Sequence, residues 1–249
     1  MLALAIAGAT LGALLQSTTG IGYALVAGPA LLMITTAQRA IATLLFTGVL
    51  INVLMLARVR RGTGEKHMSI GPLLAWSLPG LVAGVLLLQL IAKQTVQVVV
   101  GVAVLGAVGV TLRPPPRRGP ASAAGRTPTG HVAAVGLACG ALTTATSVNG
   151  PLLLLWLNAR QATAAQVRDA LATCFLALNL LGACALALLG NSGQVVDVAL
   201  LAELTPGILA GTLVGRRVFA GLDEKRFRAG GLVVATVAGL TSIVAGLAT

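Results

Sequence analysis

The side chains able to act on a ligand fall into two short clusters, each interrupting an apolar run. The first is Gln16-Ser17-Thr18-Thr19-Gly20-Ile21-Gly22-Tyr23, and the second is Thr143-Thr144-Ala145-Thr146-Ser147-Val148-Asn149-Gly150-Pro151. Hydroxyls and amides donate hydrogen bonds, and glycines let a ligand approach backbone N–H groups. Such a set holds anion oxygens; it does not break bonds. Neither cluster contains a histidine, cysteine or carboxylate to serve as general base or activated nucleophile. His67 and His131 are isolated, and no HExxH or phosphate-binding glycine motif is present. Cys139, Cys174 and Cys184 lie inside apolar segments without metal-ligand spacing. The expectation is therefore a non-enzyme with no catalytic residue, no metal and no cofactor.

The candidate substrate-binding residues are Gln16, Ser17, Thr18, Thr19, Gly20, Gly22 and Tyr23 from the first cluster. Thr144, Thr146, Ser147, Asn149 and Gly150 come from the second. Small hydroxylated residues also let membrane helices approach closely. Clustering at two places, without regular helical spacing, favours binding. Asn52 and Asn179 each lie deep in an apolar run, where an amide either meets a substrate or ties helices together. Glu203 is the one acidic residue expected well inside a span, one that begins near Gln194. An ionisable group there is a functional candidate, in this case a proton carrier. A span that begins later would leave it near the outer surface.

These clusters must be positioned by membrane helices. Hydrophobic residues make up 57% of the 249 and charged residues only 9%, against about 25% charged in soluble domains. The expected fold is an all-α polytopic membrane protein. The formal net charge of +11 sits in short loops between apolar runs, so it marks topology and not a nucleic-acid face. Aromatic residues, at 3%, are too few for base stacking. The expected partners are the lipid bilayer, a small anion, and a proton or other coupling ion, with no nucleic acid. The first basic residue is Arg39, so the apolar N-terminus lacks the charged start of a signal peptide and reads as mature structure.

Residues 2–15 and Tyr23–Ile34 are arms too short to cross comfortably on either side of the first cluster. Full spans are expected over residues 40–57, 69–91 and 95–112. A linker rich in proline, arginine and glycine follows over 113–130. The remainder, 131–249, replays the first 112 residues. Gly12-Ala13-Leu14 returns as Gly140-Ala141-Leu142, Asn52 as Asn179, and Pro79–Gly84 as Pro206–Gly211, all at an offset of 127 or 128. The chain therefore reads as a first transmembrane repeat (1–112), a cytoplasmic linker (113–130) and a second repeat (131–249).

Charge decides the relative orientation. If each cluster tips a re-entrant or broken-helix hairpin, each repeat has three further crossings and the repeats are inverted. All 17 Lys and Arg except Arg39 and Lys93 then fall on one side. If each hairpin crossed once, the basic residues would divide almost evenly. The positive-inside rule selects the inverted arrangement, with basic loops cytoplasmic and both termini periplasmic. Inverted repeats with interrupted helices are a transporter architecture in which half-helix N-termini face an anionic substrate near the midplane.

Over Gly12–Pro29, Ala42-Thr43-Leu44-Leu45-Phe46, Pro79–Gly84, Gly140–Pro151 and Pro206–Gly211 the chain resembles the TauE/SafE family of sulfite exporter-like transporters. It departs from the usual run of adjacent glycines at Gly20-Ile21-Gly22-Tyr23. The resemblance implies secondary transport of sulfur-containing anions, such as sulfite, sulfoacetate or other organosulfonates, across the bacterial inner membrane. The competing expectations are a channel-like or uniport path for another small organic anion, and a non-transporting membrane scaffold.

Overall fold

A computed structural model describes residues 2–59, 70–112, 129–159, 164–190, 196–219 and 224–248. The expected basic loop after the first span, most of the linker and the side chain of Thr19 lie outside the described residues. The described chain is helical: α1 (Leu2–Thr19), α2 (Tyr23–Ile34), α3 (Ala37–Val59), α4 (Gly71–Leu90), α5 (Lys93–Leu112), α6 (Thr129–Thr146), α7 (Gly150–Ala159), α8 (Ala164–Leu189), α9 (Val198–Phe219) and α10 (Glu224–Leu247). Four contain stretches long and apolar enough to cross a membrane: Ala37–Ala57, Gly71–Leu90, Asp169–Leu189 and Val198–Gly215. This is a multi-pass membrane protein.

Backbone chemistry sets the breaks. Gly20 (φ 82°) and Gly22 (φ 137°) take positive φ between α1 and α2, where a side chain would be strained. The equivalent break between α6 and α7 has Ser147 at φ 57°, a conformation that costs a non-glycine residue about 1–2 kcal/mol. Pro151 then sits in the first turn of α7, where its missing N–H costs nothing. At α9 the Asp197 carboxylate accepts the Leu200 N–H at 3.0 Å. That cap starts α9 at Val198, later than the Gln194 expected from hydropathy.

Lipid gives helices little hydrophobic reason to associate, so close backbone approach matters. A Cβ on Gly140 would fall on the Ser77 carbonyl, and one on Gly80 on the Leu137 carbonyl. Gly84 lies further along α4 against Ala141 and Thr144, so α4 and α6 run parallel. On the other side Gly207 meets Ile6 and Thr10, Gly211 meets Thr10 and Leu14, and Gly215 meets Leu14 and Ser17. Thus α1 and α9 are also parallel. By contrast Gly101 meets Gly239 and Ile243 while Gly246 meets Gln94 and Gln97, so α5 and α10 are antiparallel. Gly48 meets Asn179 and Gly182 meets Leu45, which makes α3 and α8 antiparallel. Finally α2 folds back along α1, with Gly12 against Tyr23 and Gly8 against Val26, Ala27 and Ala30. The first arm pair is a hairpin.

Candidate functional site

The two helix breaks meet. Ile21 reaches Gly150, where an added Cβ would lie 2.6 Å from its Cγ2 and 3.3 Å from Phe175 Cζ. Between the breaks is a cavity of about 40 Å³, room for about two or three water-sized groups. Its lining includes Gln16, Gly22 and Tyr23 from the first break, Ser147, Asn149 and Gly150 from the second, and Gly48 and Asn179 from the long helices. Gly48 and Asn179 stand near the middle of the spans Ala37–Ala57 and Asp169–Leu189. The cavity therefore lies level with the middle of both candidate spans.

On the first side the polar groups are spent on one another. The Gln16 amide donates to Asn52 Oδ1 at 3.1 Å, and its carbonyl accepts the Tyr23 backbone N–H at 3.2 Å. Gln16 thus caps α2 and pins it to α3. Asn52 donates in turn to the Gly48 carbonyl at 2.8 Å. Tyr23 Oη donates to Thr47 Oγ1 at 2.7 Å, and Thr47 donates to the Thr43 carbonyl at 2.5 Å. Gln16 and Asn52 are almost wholly buried, so this network also meets the requirement that buried polar groups be paired.

On the second side fewer groups are spent. Asn149 donates to Thr143 Oγ1 at 2.6 Å, and Thr143 donates to the Cys139 carbonyl at 2.6 Å. Among the described residues Ser147 Oγ has only a long bond, 3.4 Å, to the Thr143 carbonyl. The Asn179 amide makes no hydrogen bond among the described residues and lines the cavity. It fits there because residue 48 is glycine: a Cβ on Gly48 would collide with the Asn179 amide nitrogen.

Seven of the sequence candidates therefore line the cavity: Gln16, Gly22, Tyr23, Ser147, Asn149, Gly150 and Asn179. Asn52 stands behind Gln16. The other candidates whose side chains are described, apart from Asn52, are brought elsewhere. Ser17 donates back to the Leu14 carbonyl and lies against Gly215 of α9. Thr18 donates to the Leu15 carbonyl at 2.8 Å, and Gly20 lies beside Leu171. Thr144 donates across to the Leu81 carbonyl of α4 at 2.8 Å, and Thr146 accepts the Val148 N–H at 3.2 Å. Glu203 is exposed on the second turn of α9, apart from the cavity lining. Sequence reasoning missed Gly48 and Phe175. One signal was available, because they are separated by the same 127 residues that relate Asn52 to Asn179.

Residues 4–242 match the family described as Sulfite exporter TauE/SafE, nearly the whole chain. The chain belongs to that family. The TauE/SafE description is that of an exporter-type membrane transporter, in agreement with the apolar helices and the polar cavity between interrupted ones. No curated protein and no solved structure gives a significant match.

Proposed function

We propose that this TauE/SafE protein is a secondary transporter that carries sulfur-containing anions (sulfite, sulfoacetate or other organosulfonates) across the bacterial inner membrane by alternating access. The observation that carries the reading is the meeting of the two helix breaks, level with the middle of two candidate spans, around an Asn179 amide that makes no hydrogen bond among the described residues. An anion there would receive hydrogen bonds from the Asn179 amide, the Ser147 hydroxyl and the first turn of α7, whose dipole favours negative charge.

The architecture in this reading is a pair of inverted repeats, α1–α5 and α6–α10. Two features support it. Packing partners exchange between halves: α1 lies on α9 as α6 lies on α4. Equivalent helices run antiparallel, α3 against α8 and α5 against α10. A two-fold axis in the membrane plane requires antiparallel equivalents, whereas an axis along the membrane normal would make them parallel. Basic loops then face the cytoplasm and both termini the periplasm. Movement of one hairpin with its partner helix against the other would open the cavity to alternate sides.

The purified chain in proteoliposomes, assayed for flux of isotopically labelled sulfite and organosulfonates, tests this proposal. Saturable exchange is expected. Absence of flux for every sulfur oxyanion, from protein shown to be folded, would refute it.

A further inference from the structure

A second cavity, of about 190 Å³, lies between α4, α5 and α6. Leu87 and Ile91 from the end of α4 and Val96 and Val99 from the start of α5 line it, opposite Leu142 and Ala145 from the last turns of α6. Thr146 is its one polar lining residue. Leu87 and Val99 are exposed, so the cavity opens on the outer surface of the protein. Leu87 belongs to the candidate span Gly71–Leu90. In a bilayer the mouth therefore faces lipid, near the end of that span.

Water is a poor occupant. A buried water takes two to four polar partners. The Thr146 hydroxyl donates to the Leu142 carbonyl at 2.9 Å and accepts the Val148 N–H at 3.2 Å. That leaves the hydroxyl one acceptor position. An apolar cavity of this size stays dry and takes up apolar molecules. Around a membrane helix the abundant apolar molecule is a lipid acyl chain.

Charge selects the lipid. Lys93 stands on the turn from α4 to α5, between Ile91 and Val96 of the lining. It is exposed and makes no ion pair among the described residues. Helix stability does not explain its place, because a cation in the first turn opposes the helix dipole. Neither α4 nor α5 contains an acidic residue to compete for it. Basic residues at the membrane surface attract anionic headgroups.

We propose that this cavity is a specific site for an anionic phospholipid. One acyl chain enters between α4, α5 and α6, and the headgroup phosphate rests on Lys93. The chain then packs behind the turn of α6 that leads into the second helix break.

Competitive lipid retention by the full-length chain tests this. Purified, delipidated protein in detergent is given equal amounts of phosphatidylglycerol and phosphatidylcholine with identical acyl chains, and the first lipid bound is identified by native mass spectrometry. Wild type should prefer phosphatidylglycerol about fivefold, the effect of one basic residue at an anionic lipid surface. Lys93→Gln, a surface change, should bring the two lipids to parity. Ala145→Phe fills the cavity and should lose the preferred lipid, while the lipid-free variant melts no lower than wild type. Ala145→Leu repeats the test with a smaller side chain. Equal retention of both lipids by wild type, or a preference that survives Lys93→Gln, would overturn the proposal. So would undiminished retention by a folded Ala145→Phe or Ala145→Leu chain.

Discussion

The two helix breaks occupy equivalent places in a duplicated sequence, yet they are built differently. In the first, Gln16 uses both ends of its amide, on Asn52 and on the N-terminus of α2, and Tyr23 is tied to Thr47. In the second, Pro151 stands where the repeat has Tyr23 and offers no donor. Asn149 is held by Thr143 of α6, and Asn179, the counterpart of Asn52, makes no hydrogen bond among the described residues. The difference at residues 48 and 175 goes with this. Glycine at 48 leaves room for the Asn179 amide, whereas Phe175 fills the equivalent place in the other half. In the proposed reading, two similar clefts have diverged: one is a wall satisfied by its own hydrogen bonds, and the other offers groups to a ligand.

This contrast predicts that changes on the open side act on transport and changes on the closed side act on stability. The largest effect is expected from Gly150→Val, whose added carbons would strike Ile21 and Phe175. Labelled sulfonate flux should vanish, at a stability cost of about 1–3 kcal/mol from overpacking. Next comes Asn179→Leu. Losing one hydrogen bond to a charged group removes about 1.5–3 kcal/mol of binding, so flux at low substrate should fall about tenfold or more. Thermal unfolding should move little, within about 0.5 kcal/mol, because no protein partner is lost. Gln16→Leu should do the reverse. It strands the Tyr23 N–H and the Asn52 carbonyl, which lowers stability by about 1–3 kcal/mol, while flux per folded molecule stays within about threefold. Tyr23→Phe breaks a single bond and should cost about 0.5–1.5 kcal/mol by the same measurement. Glu203→Gln, exposed on α9, should leave exchange flux unchanged.

Much of this plan was legible in the sequence, because both breaks announce themselves by what does not belong in a lipid-facing helix. Glycine pairs, hydroxyls and amides in an apolar run locate the breaks, and the offset of 127 or 128 residues relates the halves. Sequence clustering could not say which way each side chain turns. Ser17 and Thr18 satisfy their hydroxyls on carbonyls three or four residues back, and Thr144 does so across the α4 contact. Such hydroxyls look identical to binding groups until the helix face is known. Gly48 was hidden for the opposite reason. A glycine within an apolar span reads as a packing residue, and only the approach of Asn179 from another helix gives it a role. The start of α9 was misjudged because a hydropathy run does not register an N-cap. Asp197 supplies that cap and places Glu203 in the second turn.

The central claim is that the open side of the cavity, around Asn179, holds the anion that crosses. The most direct measurement is the initial rate of labelled ethanesulfonate exchange in proteoliposomes for wild type, Asn179→Leu and Gln16→Leu, each normalised to folded protein. The account predicts saturable wild-type exchange, a loss of about tenfold or more for Asn179→Leu, and near-normal rates for Gln16→Leu. Exchange that survives Asn179→Leu but collapses with Gln16→Leu would contradict it.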